Sequence, residues 1–146
     1  MLLTIMSVYN GAAWHGDPLR KMLDEVDDRI ANVRPIEDRK TIHELTLHIA
    51  GWMEIVTRRL AGEVVSPTTE EDSPSAHGLS WESTMKRLQR AHEKLLDQVA
   101  RTGDDELDEV VAGKSYSREF MLNGLAHHTT YHEGQIALLK KLSAAR

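Results

Sequence analysis

Thr41-Ile-His-Glu-Leu-Thr-Leu-His-Ile-Ala-Gly-Trp52 is the stretch on which the fold turns. Thr41 is followed three residues later by Glu44, the capping-box pattern that satisfies the first free N–H groups of a helix. Leu45, Ile49, Trp52, Met53, Val56 and Leu60 then recur at three- and four-residue intervals, as the buried stripe of an α-helix does, and Gly62 is a C-terminal stop. His48 lies inside that stripe, between Leu45 at i−3 and Trp52 at i+4. A polar ring is therefore expected on the apolar face.

Working outward, the segment from Gly62 to Leu79 is about 18 residues of mainly Ser, Pro, Thr and Glu, long for a connection in a compact bundle. A third helix is predicted from Ser80, carrying Trp81, Met85, Leu88, Leu95 and Val99 and stopping at Gly103. A fourth runs from Ser117 through Phe120 and Leu139 to Leu142. Upstream, Asp17 reads as an N-cap with Pro18 at the first helical position, and Leu19, Met22, Leu23, Val26, Ile30 and Val33 predict one helix ending before Pro35. The apolar opening, Met1 to Val8, lacks a basic flank, is too short for a signal peptide, and runs into a Tyr9-Asn10-Gly11 turn. Nothing reads as a strand, since Val64-Val65 and Val110-Val111 are isolated pairs. The expectation is one all-α domain over residues 1–146, a four-helix bundle. Its long crossover lets helices two and three run parallel, giving an up-down-down-up order.

Composition narrows the function. With 40% hydrophobic and 28% charged residues the chain reads as a folded, soluble domain, and no apolar run reaches the roughly 20 residues of a membrane helix. A cytoplasmic location is the expectation. The net charge is −5, and Arg58-Arg59, Lys86-Arg87 with Arg90, and Lys140-Lys141 are too short and diluted to form a nucleic-acid stripe; they read as solvated helix faces. Cysteine is absent, which removes disulfides, thiolate ligands and a cysteine nucleophile. Eight histidines in 146 residues are the unusual feature.

His128 and His132 stand four residues apart in the fourth helix, within about 40° of each other around its axis, on the face shared by Met121, Leu125 and Leu139. With His48 they bring three imidazoles to buried faces of two helices. A lone core histidine usually bonds a carbonyl. Three together suit a divalent ion, because burial needs a partner for each ring and neutral imidazole is a common metal ligand. Three facial ligands leave further coordination positions open, as catalytic sites do. Nickel or zinc fit best, with iron or manganese behind them.

The remaining histidines are less telling. His127 lies about 100° from His128, and His43 about 140° from His48. His43-Glu44 fails as a zinc-protease motif because Leu47 stands where the second histidine is needed. His92 falls between Leu88 and Leu95, His77 lies in the crossover, and His15, just before the first helix, is placed to reach the mouth of a site. Trp52 and Gln135, one turn from the ligands, are the expected pocket walls. Glu-x-x-His, a glycine-rich phosphate loop and a Gly-x-Ser-x-Gly elbow are all missing.

Thr41 to Trp52 resembles the second-helix signature of the DinB-like superfamily of bacterial four-helix bundles, and His128-Thr-Thr-Tyr-His132-Glu-Gly-Gln-Ile136 resembles its fourth-helix signature. Ala13-Trp-His-Gly16 is similar to the segment that opens many members. The resemblance covers nearly the whole chain. It implies an up-down-down-up bundle, a divalent metal on His48, His128 and His132, and a homodimer. It also implies an enzyme that activates a low-molecular-weight thiol for transfer to a small-molecule electrophile; a bound metal could equally activate water. Here the thiol must come from a cosubstrate, and no basic cluster in the sequence marks its carboxylates. A non-catalytic metal-binding or sensing module and a metal-dependent hydrolase are the alternatives.

Overall fold

Four hydroxyl caps set the boundaries of the helices that carry this structure, a computed structural model that describes residues 1–145. The elements are α1 (Leu2–Asn10), α2 (Leu19–Asp24), α3 (Asp28–Asn32), α4 (Ile42–Leu60), α5 (Thr69–Asp72), α6 (Trp81–Arg101) and α7 (Arg118–Ala144), with a short 3-10 turn at Asp104–Glu106. The capping box of α4 forms as predicted, Glu44 N donating to Thr41 Oγ1 and Thr41 N to Glu44 Oε2. Ser80 caps α6 and Ser117 caps α7. Gly62, at φ +92°, closes α4 in a Schellman motif: Glu63 N bonds Arg58 O and Gly62 N bonds Arg59 O, each at 3.1 Å.

The predicted first helix is not continuous. It breaks at Glu25–Asp27, where Val26 gives its carbonyl to the Trp81 indole N–H at 2.8 Å and Asp27 recaps α3 by accepting from Ile30 N. Asp17 does not cap α2; Pro18 holds that position and Asp17 pairs with Lys21 at 2.8 Å. The apolar opening is itself helix α1, which buries Ile5, Val8 and Tyr9 against the bundle. The crossover also contains a turn of helix, α5.

Helix directions follow from paired contacts. His43 meets Thr84 at 2.7 Å, Glu54 meets Arg87 at 2.8 Å, and Met53 and Leu95 line one small cavity, so α4 and α6 run parallel. Arg59 meets Tyr116 just before α7, His48 meets His128, and Leu45 shares a cavity with Leu138 and Leu139, so α7 is antiparallel to α4. Thr4 and Ser7 border Ala126 and His127, His15 meets Glu133, and Met22 O accepts from Lys140, so α1 and α2 together run parallel to α7. The order is up-down-down-up, with a composite first layer. Leu19, Leu23, Ile42, Ile49, Leu88, Leu95, Leu122 and Ile136 fill the core between the layers. Among the described residues no helix is long and apolar enough to cross a membrane.

Candidate metal centre

The antiparallel pairing of α4 with α7 brings His48 against His128 and His132, as their spacing predicts. Nε2 of His128 lies 3.0 Å from Nε2 of His48 and 3.1 Å from Nε2 of His132. The ligand atoms of all three fall within 4.8 Å of one another. Nitrogens about 2.1 Å from a shared ion lie roughly 3 Å apart when they meet it at a right angle, which is the separation of these two pairs.

The outer nitrogens decide what the inner ones offer. His48 Nδ1 donates to the backbone carbonyl of Asp72, which requires the proton on Nδ1 and leaves a lone pair on Nε2. His132 Nδ1 donates to Gln135 Oε1 at 2.6 Å, with the same result. Two lone pairs therefore point at His128 Nε2, whose one proton can serve only one of them. Hydrogen bonds among the three rings cannot satisfy the cluster, whereas a cation at its centre can. His128 and His132 also stay neutral at physiological pH. Burial pushes His128 down to about 4, and the charges of His132 and His48 act the same way. His132 is held below the ordinary histidine value first by burial, which outweighs the hydrogen bond it donates to Gln135.

The crossover is pinned to α4 to make this possible. A Cβ on Gly51 would sit 2.6 Å from Glu71 O, so only glycine lets α5 lie this close to α4. Trp52 Nε1 donates to Asp72 Oδ1 at 2.9 Å, Arg58 meets Glu71 at 3.0 Å, and Lys40 donates to Ser73 at 3.0 Å. These bonds hold the Asp72 carbonyl over His48.

Two cavities flank the triad. One, about 380 Å³, opens on His48 and His128 and is walled by Trp52, Val56, Phe120 and Leu125. The other, about 490 Å³, opens on His132 and Gln135 and carries Arg39 and Lys40. Trp52 and Gln135 thus border the cluster, and Gln135 also orients the His132 ring.

The sequence of DinB-superfamily proteins, taken as a profile, matches residues 13–136, most of the chain. The chain belongs to the DinB superfamily. Comparison with curated proteins and with solved structures gave no match. Membership in the DinB superfamily and the converging triad together mark a metal-binding protein.

His15 is not at the mouth of the site. Its Nε2 lies 2.8 Å from Glu133 Oε2 on another face of α7, beside a different cavity lined by Trp14 and Tyr131. Glu133 is buried, and that burial raises its carboxyl to about 8. Three residues that matter were not singled out from the sequence: Asp72, Tyr116 and Arg59. Arg58 is solvated as expected, but Arg59 is 4% exposed and lines the smaller cavity. The signal for it was available, since 11 residues after His48 place it within about 20° of the same helix face.

Proposed function

We propose that this DinB-superfamily chain is a divalent-metal-dependent enzyme that activates a thiol cosubstrate, or water, for transfer to a small electrophile. The observation that carries the reading is the pair of cavities meeting at one cluster of three imidazole nitrogens, which suits two substrates better than a closed structural site. His48, His128 and His132 would hold the ion, with nickel or zinc favoured by the all-imidazole donor set and iron or manganese as alternatives. Bound there, the ion supplies Lewis acidity that lowers the pKa of a coordinated thiol or water.

The chain's own residues divide the remaining work. Asp72 O and Gln135 Oε1 fix the ring tautomers. Arg39 and Lys40, partly offset by Asp38, give the larger cavity a net positive charge that suits a thiol bearing carboxylates. Trp52, Val56 and Leu125 keep water from the acceptor in the smaller one. We also propose a homodimer, supported by exposed Phe120, Tyr131 and Leu138 along α7; light scattering should give about twice 16.5 kDa.

The test is a titration of the nickel-loaded protein with small thiols, followed by absorbance. A sulfur-to-metal charge-transfer band and thiol consumption on adding an electrophile are expected. A spectrum indifferent to every thiol and small anion would remove the enzymatic reading.

A further inference from the structure

Arg59 is a buried cation without a carboxylate. Its guanidinium makes three hydrogen bonds, Nε and Nη2 to Val65 O and Nη1 to Tyr116 Oη, all to neutral acceptors. Among the described residues no Asp or Glu comes within ion-pair distance of it. Taking a full positive charge out of water is costly unless an anion or a full set of hydrogen bonds replaces the solvent, and two of the five N–H groups remain after those three bonds. Tying Val65 to the bundle needs a donor but not a charge.

The charge lies where a ligand would use it. Arg59 lines the same 380 Å³ cavity as His48 and His128, and its Cζ is 5.7 Å from the Trp52 ring centroid. Eleven residues of helix separate it from His48, about 16 Å along α4, so the cation and the imidazole cluster lie toward opposite ends of the cavity. Between them the walls are mainly apolar. The other charged group at the cavity, Asp72, is engaged, Oδ1 by Trp52 and Oδ2 by Ser73.

We infer that the smaller cavity binds an apolar monocarboxylic acid, its carboxylate paired with Arg59 and its body lying along Trp52 toward the histidine cluster. The planar fork of a guanidinium matches a carboxylate, and the volume suits a small aryl or alkyl acid. The inference rests on the proposed function insofar as that ligand is the acceptor substrate, but the recognition itself needs no metal.

Calorimetry with 4-phenylbutyrate and its neutral isostere 4-phenylbutanamide tests it, in metal-free and zinc-loaded protein at neutral pH. The acid should bind the metal-free protein at least about tenfold more tightly than the amide. Arg59→Gln should abolish that preference while amide binding persists. Arg59→Lys keeps the cation, so it protects the test against misfolding, and should lower the preference without removing it. Equal affinities for acid and amide in metal-free protein would overturn the inference, as would binding of neither. A preference seen only with zinc, or unchanged in both variants, would place the carboxylate on the metal and also overturn it. Loss of the metal site leaves the metal-free result standing, so the two readings fail separately.

Discussion

The backbone carbonyl of Asp72 accepts the Nδ1 proton of His48, and the Asp72 side chain accepts the indole N–H of Trp52. One residue of the crossover thus sets both a candidate ligand and a wall of the adjoining cavity. Gly51 permits it by letting α5 approach α4. Gly51→Ala should push the crossover outward, weakening metal affinity about 10- to 100-fold through loss of the His48 partner. Asp72→Ala keeps the carbonyl but removes one of the bonds that pin it, so its metal affinity should fall less than in Gly51→Ala while stability falls by about 1 kcal/mol. Competition against a chromophoric chelator, with thermal melts of the same samples, checks both.

Gln135 plays the corresponding part for His132. From spacing alone it reads as a pocket wall; its contact with Nδ1 makes it an orienting group as well. Gln135→Ala should weaken metal binding by about tenfold or more, and Gln135→Glu, a stronger acceptor, should restore it. Metal affinity by the same competition assay decides. Equal affinities in all three proteins would assign Gln135 to the pocket alone.

How much of this was legible in the sequence depends on how local each cause is. The caps at Thr41, Ser80 and Ser117 act within one turn, so those helix starts were readable. The triad was readable because an i, i+4 pair fixes its own geometry and His48 interrupts an apolar stripe. The break between α2 and α3 was not, because Val26 bends away to serve Trp81, 55 residues on. Asp72 has no periodic signal, since it orients His48 through its backbone carbonyl. Arg59 was hidden by its neighbour: Arg58-Arg59 reads as one charged pair, yet a helix turns about 100° between them and buries the second.

His92 gives a pH dependence. Its ring is 3% exposed, stacks on Tyr9 with centroids 3.6 Å apart, and its Nε2 has no hydrogen-bond partner among the described residues. Burial lowers its pKa from 6.5 to about 4, against the opposing charge of Glu93. The folded state therefore binds the proton less well than the unfolded state. Stability is full above about pH 6.5 and is lost as pH falls toward 4, by on the order of 3 kcal/mol from this residue. His43, also held down by burial, adds a loss of the same sign. Urea denaturation of chelator-treated protein between pH 4 and 7.5 should show a shallower decline for His92→Leu than for wild type. Parallel curves would contradict the assignment.

Metal content per chain, measured by mass spectrometry on wild type and on His48→Ala, His128→Ala and His132→Ala, tests the central claim most directly. The account predicts one divalent ion per wild-type chain and a large loss in each variant, with helical content retained. Wild-type protein that takes up no ion, or a variant that keeps a full equivalent, would contradict it.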